Sequence, residues 1–199
     1  MKKIYLVTAL ACCALQPTLA QKQEECKPVN LHCDHLINPL GIDNANPRLS
    51  WMLDDARQGA RQTAYQIIVS TDSLKANNEN GEIWNSGKKE SDQILVTYPE
   101  KNLQPFTKYY WKVNVWDKDG KKATSDINSF ETGMMGMENW QGAWIGDNRD
   151  IHYKPAPYFR KTFDTQKKVK SARAYIAVAG LYELYINGEK IGNHRLDPL

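Results

Sequence analysis

The stretch Leu103-Gln-Pro-Phe-Thr-Lys-Tyr-Tyr-Trp-Lys-Val-Asn-Val-Trp116 decides the fold. From Tyr109 onward its residues alternate. Tyr109, Trp111, Val113 and Val115 fall on one side, and Tyr110, Lys112, Asn114 and Trp116 on the other. A repeat of two is the period of a strand, whose successive side chains leave opposite faces; a helix would repeat every ~3.6 residues. The aromatic and β-branched content suits a pleated, half-buried surface. Pro105 ends any preceding element, and Leu103 supplies an apolar anchor. A strand this bulky needs a second sheet to cover it, which predicts the central strand of a β-sandwich.

Working outward, the same alternation marks strands at Val29–Asp34, Arg48–Leu53, Thr63–Ser70, Ile83-Trp84, Gln93–Tyr98 and Ile127–Thr132. Turn residues separate them: Asn38-Pro-Leu-Gly-Ile-Asp43, Asn77–Gly81, Asn85-Ser-Gly87, Pro99 and Asp117-Lys-Asp-Gly120. Seven short strands with hardly any helical periodicity predict an all-β sandwich over residues 29–133. A Gly- and Met-rich connector, residues 134–139, leads to a second unit over 140–199. There, Tyr158–Phe163 and Ala172–Ala179 read as strands. Tyr182–Ile186 and Glu189–Gly192 read as a hairpin around Asn187-Gly188, the pair a type I′ turn needs for its positive φ angles. These strands are apolar on both faces and have too few partners to cover them, so the second unit is expected to be an incomplete domain.

The first twenty residues read as an export signal: Met1-Lys2-Lys3 is basic, Ile4–Leu15 apolar but too short for a permanent span, and Thr18-Leu19-Ala20 a small-x-small cleavage site. A lipoprotein signal acylated at Cys12 or Cys13 is the alternative. Cleavage after Ala20 implies a periplasmic or extracellular protein without a transmembrane span. Lys2 and Lys3 are two of the 26 basic residues, so 24 would remain against 23 acidic ones, a net of +1. Charges this balanced and this mixed along the chain give no footprint for nucleic acid. Residues 21–28 are polar and expected to be flexible. Cys26 and Cys33 could pair in an exported protein. Alternatively, Cys33 shares a strand face with Val29 and Leu31 and is a small buried apolar residue.

Several groups invite a chemical reading. Asp117-Lys118-Asp119-Gly120 begins like a calcium loop, but the twelfth position, which must carry a carboxylate, is Asn128; a hairpin turn explains it better. Cys26, His32, Cys33 and His35 match no zinc spacing, and His32 and Cys33 leave opposite faces of a strand. Asp147, Asp150 and Glu183 could serve a glycosidase only if two of them faced each other across a bond; otherwise they are solvated charges. No nucleophile elbow, P-loop or dinucleotide fingerprint occurs. No catalytic residue, metal ligand or cofactor site is therefore assigned. The aromatics Trp84, Tyr110 and Trp116, on one outer surface, and Trp140 and Trp144, flanking the connector, could stack on sugar rings or pack between domains.

The pattern Leu103-x-Pro105-x-Thr107-x-Tyr109-x-x-x-Val113 resembles the fibronectin type III domain, in which this Tyr closes a corner by bonding to upstream backbone, and Trp51 matches its buried second-strand Trp. A narrower resemblance joins several segments in order. They are Asn38-Pro-Leu-Gly-Ile-Asp43 with Pro47-Arg-Leu-Ser-Trp51, Gln62-Thr-Ala-Tyr65, Tyr109-Tyr-Trp-Lys-Val113 with Trp116-Asp117, and Phe130-Glu-Thr-Gly133. After the connector come Trp140-x-x-x-Trp144-Ile145, Ala172–Ile176, Gly180–Gly188, Gly192 and Leu196-Asp-Pro198. Together they resemble the N-terminal region of bacterial α-L-rhamnosidases of glycoside hydrolase family 78. The resemblance implies a fibronectin III/immunoglobulin-like sandwich followed by an incomplete jelly roll. It also implies a parent enzyme that removes terminal α-L-rhamnose from plant glycans or glycosides by inversion, with its carboxylates on an (α/α)6 barrel this chain lacks. The expected partners are a rhamnose-containing glycan and the catalytic domain the region packs against. A non-catalytic carbohydrate-binding module and a structural spacer are the alternatives.

Overall fold

The computed structural model describes residues 26–99, 103–147, 149, 152 and 156–193. The expected export signal with Cys12 and Cys13, Asp150 and the Leu196–Pro198 segment lie outside the described residues. The chain divides into two compact units, Met1–Ala143 and Trp144–Leu199.

In the first unit the strands run β1 (Lys27–Cys33), β2 (Arg48–Asp54), β3 (Gln62–Ser70), β4 (Trp84–Asn85), β5 (Lys89–Glu90), β6 (Leu95–Thr97), β7 (Lys108–Asp117), β8 (Lys122–Thr124) and β9 (Asn128–Glu131). One helical turn, α1 (Ser73–Asn77), follows β3. A three-stranded antiparallel sheet has the order β1-β2-β6, and a second has the order β4-β3-β7-β8. In the second sheet β5 continues beside β3 and β9 continues beside β7. β1 starts at Lys27, and Cys26 and Pro28 are buried, so the end of the segment expected to be flexible belongs to the sheet. The helix and the two-residue β5 escape the sequence reading because so short a piece shows no period.

The strand that opened the reading is the spine of the larger sheet. Tyr109, Trp111, Val113 and Val115 are essentially inaccessible to solvent and meet Leu49 and Trp51 of the opposite sheet in one core cluster. Burying a large side chain of this kind contributes about 2–3 kcal/mol each. Among the described residues the Trp111 indole N–H is buried without a hydrogen-bond partner, whereas the polar atoms around Trp51 are paired. The Trp51 indole N–H donates to Gln62 Oε1 at 2.9 Å, and Gln62 Nε2 donates to the carbonyls of Ser91 and Gln93 at 3.0 and 2.8 Å. Tyr109 stacks on Phe130 with centroids 5.2 Å apart, and its hydroxyl accepts the Gln104 N–H at 2.8 Å. The corner implied by the fibronectin-like pattern is therefore made.

Cys26 and Cys33 are buried free thiols, which settles the disulfide alternative against their pairing. Burial, then the neighbouring Asp34 carboxylate, pushes the Cys33 thiol up to about 12. It is held as a small apolar side chain, not as a nucleophile.

The second unit departs from expectation. Tyr158–Phe163 and Ala172–Ala179 form no ladder and are not strands. Tyr158 is 99% exposed and Phe163 78%. Alternation makes a segment able to join a sheet, but the strand exists only once a neighbour accepts its hydrogen bonds. The hairpin does form, shorter than expected, as β10 (Tyr185–Ile186) and β11 (Glu189–Lys190). Asn187 and Gly188 take φ of 52° and 86°, the left-handed values a type I′ turn demands. The fold is thus all-β, a fibronectin III/immunoglobulin-like sandwich followed by a unit whose described ladder is this hairpin.

Candidate functional site

Asp117 closes β7. Its Oδ1 accepts the N–H groups of Asp119 and Lys121 at 3.0 and 2.8 Å, and Gly120 turns at φ 77°. This is the hairpin turn read from the sequence. What the sequence concealed is its partner. Arg57 reaches across from the loop after β2, giving Nη2 to Asp55 Oδ2 at 2.5 Å and to Asp117 Oδ2 at 2.6 Å, and Nη1 to Asp119 at 3.0 Å. The side chains of Asp55 and Asp117 are only 1% exposed. The Arg57 hydrogen bonds hold the Asp55 carboxyl down at about 2. Burial works against the charged form of Asp117, but Arg57 and the two turn N–H groups outweigh it and keep its pKa below the usual value. The guanidinium is the cation of this carboxylate cluster. No local motif announces it, since Arg57 and Asp117 lie sixty positions apart.

The other candidates are dispersed. His32 Nδ1 donates to the Asn30 carbonyl at 2.6 Å, and His35 Nε2 accepts from Arg48 at 2.8 Å. Asn128 Nδ2 donates to the Leu31 carbonyl at 3.0 Å, tying β9 to β1. Glu183 takes Lys190 Nζ and the Tyr185 hydroxyl, both at 2.8 Å, while Asp147 faces Arg149 at 3.8 Å. Neither geometry pairs two carboxyl groups across a gap.

The aromatic surface also needs correction. Trp84 is not on the outer face. It pairs in register with the inward Val69, and cross-strand partners share a face, so its ring enters the core edge-on to Tyr98 at 5.2 Å. Tyr110 and Trp116 do point outward and are half-buried. Their rings carry lysines: Lys108 Nζ lies 5.3 Å from the Tyr110 centroid, and Lys88 and Lys122 lie 4.9 and 5.9 Å from that of Trp116. Beside Trp116, Asn114 donates to Gln66 at 3.0 Å and accepts the Thr124 hydroxyl at 2.8 Å, and Lys122 pairs with Glu79 at 2.5 Å. α1 packs over β3 and β7, and Lys112 is buried there, donating to the Asn77 carbonyl at 2.7 Å. Burial lowers its pKa. The outer face is thus largely closed by the chain itself. Of the two connector tryptophans, Trp140 is half-buried and Trp144 is 76% exposed.

One place does gather the quoted motif segments. Asn38–Asp43 runs beside the end of β9: Glu131 N–H donates to the Pro39 carbonyl, Ile42 N–H to the Glu131 carbonyl and Gly133 N–H to the Ile42 carbonyl, each at 2.9 Å. Asn38 Oδ1 accepts the Ser129 N–H and Asp43 Oδ1 accepts the Met135 N–H, both at 2.7 Å. From the other side, the Thr132 hydroxyl donates to the Gln104 carbonyl at 2.6 Å and accepts the Thr107 N–H at 2.9 Å. The Phe106 N–H donates to the Gly133 carbonyl at 2.9 Å. The site these residues build is the point where the chain leaves the sandwich.

The sandwich as a whole carries a likeness to known proteins. The family model for the Rha78A-like N-terminal immunoglobulin domain matches residues 28–136, more than half of the chain. The chain belongs to that rhamnosidase family. A second model, the alpha-L-rhamnosidase N-terminal domain, matches residues 167–199. An alpha-L-rhamnosidase of Formosa agariphila is 33% identical over 206 residues, 89% of this chain and 22% of that protein. One from Streptomyces avermitilis is 32% identical over 82% of this chain and 18% of its own length. Among solved structures, the alpha-L-rhamnosidase from Dictyoglumus thermophilum matches at TM-score 0.59 and 40% identity, over 61% of this chain and 14% of its own. That of Streptomyces avermitilis, complexed with L-rhamnose, matches at 0.58 and 38%, over 61% and 12%. The rhamnosidase N-terminal region described here spans about a fifth of the length of the curated relatives it matches.

Proposed function

We propose that this chain is the accessory N-terminal region of an exported α-L-rhamnosidase and supports, without itself performing, the hydrolysis of terminal α-L-rhamnose from plant glycans or glycosides. The observation that carries the reading is the relatives' coverage: more than four fifths of this chain matches about a fifth of each rhamnosidase. In the parent enzyme a carboxylic acid would protonate the leaving oxygen while a carboxylate activates water on the opposite face, inverting the anomeric centre. That pair would belong to a catalytic barrel, the partner against which this region packs. Assay of the purified 199-residue chain with an aryl α-L-rhamnoside tests the reading. No turnover above background is expected, and turnover well above it overturns the proposal.

Between the two accessory roles, a spacer is favoured over a sugar-binding module, because the outward Trp116 and Tyr110 rings carry lysines and Trp84 is in the core. Saturable quenching of tryptophan fluorescence by a rhamnose-rich glycan would reverse that preference.

A further inference from the structure

We propose that Asp43 and Gly133 form an interlocking latch that makes residues 133–140 a fixed extension of the sandwich, a stalk instead of a flexible tether. The connector is rich in Gly and Met and would be free to move if nothing held it. Three features hold it. The Asp43 carboxylate accepts the Met135 N–H at 2.7 Å, a charge-assisted bond. The Met135 side chain packs against the core cluster. The Asn139 amide then donates to the Met134 carbonyl at 2.8 Å, and the turn Met137–Asn139 closes with Trp140 N–H on the Met137 carbonyl at 3.1 Å.

Gly133 is what lets the carboxylate in. A Cβ built on it would lie 2.6 Å from Asp43 Oδ1 and 3.1 Å from the Gly41 carbonyl oxygen. Any side chain there expels the acceptor that Met135 needs. Asp43 is thus a positioning residue: it acts by fixing the backbone that follows. Asn38, Thr132 and Gly41, whose φ of 76° bends the chain into place, support it.

Amide exchange of the whole 199-residue chain, followed by NMR, tests the latch. The Met135 N–H is expected to be protected in the native chain. Asp43→Ala should speed its exchange about tenfold or more, the factor that loss of a hydrogen bond to a charged acceptor gives. Asp43→Asn keeps an oxygen acceptor and should stay within about threefold of native. Gly133→Ala should match Asp43→Ala, and the double variant should exchange no faster than the faster single one, because both remove the same contact. The β7 amides report whether the sandwich remains folded in each variant. Met135 exchanging at the free-peptide rate in the native chain, or unchanged by Asp43→Ala in a folded sandwich, overturns the proposal, and the native measurement requires no variant.

Discussion

The two units draw on similar apolar residues and treat them oppositely. In the first, Trp51, Tyr109 and Trp111 are each 1% exposed and share one cluster. In the second, Tyr158, Phe163, Leu181 and Tyr185 are at least half exposed, and the described ladder is a hairpin of two-residue strands. The difference is one of partners. In the sandwich each strand finds a neighbour for its backbone and an opposing sheet for its apolar face, and both gains are needed to offset the entropy of ordering the chain. Segments 158–163 and 172–179 have the residue pattern but no neighbouring strand among the described residues, so the pattern alone confers no element.

The largest test of this contrast removes a core ring. Trp51→Ala should cost about 3–5 kcal/mol in denaturant unfolding, by the loss of burial and the cavity left behind. It also strands the Gln62 amide it pairs with. Next comes the carboxylate cluster. Arg57→Ala leaves the buried Asp55 and Asp117 carboxylates without their cation and should lower the denaturant midpoint near neutral pH. The sign with pH follows from the Asp55 carboxyl, held at about 2 against an ordinary 3.8. A group depressed on folding stabilises fully above its unfolded pKa, and that support is lost as pH falls through the folded one. Native protein should therefore keep this support down to about pH 4 and lose it towards pH 2, while the variant unfolds at a higher pH in an acid titration. Tyr109→Phe removes the corner bond to Gln104 and should cost about 1–2 kcal/mol, read as a lower midpoint at unchanged m-value.

The smaller effects belong to the second unit. Gly188→Ala forces a side chain into φ 86° and should open the hairpin by about 1 kcal/mol, seen as faster exchange of the Ile191 amide that bonds to Leu184. The sandwich's own unfolding midpoint should stay unmoved. Phe163→Ala, at 78% exposure, should change stability by less than about 0.5 kcal/mol. A core-sized loss from Phe163→Ala would break the comparison.

Much of the sandwich was legible because period-two alternation is a direct imprint of two faces. The inward set on β7 and the Asn187-Gly188 turn follow from local rules, and the burial of Trp51 from the fibronectin-like resemblance. The outward placement of Trp84 failed for a register reason. Which face a two-residue strand shows depends on its pairing with Val69, which no local pattern encodes. Arg57 was missed because its three carboxylates are brought together only by the meeting of two loops. The exit junction was half visible. Its segments were noticed for their resemblance, but that Asn38–Asp43, Leu103–Thr107 and Phe130–Gly133 converge on one strand end was not.

The sequence by itself determined the all-β class, the inward face of the central strand and kinship with the rhamnosidase N-terminal region, because these depend on periodicity and on which residues follow which. Only the tertiary structure decided which alternating segments became strands, which tryptophan entered the core, what cation sits among Asp55, Asp117 and Asp119, and how Asp43 holds the chain as it leaves the sandwich. Those outcomes rest on contacts between residues far apart in the chain, where the free energy of pairing and burial outweighs local preference.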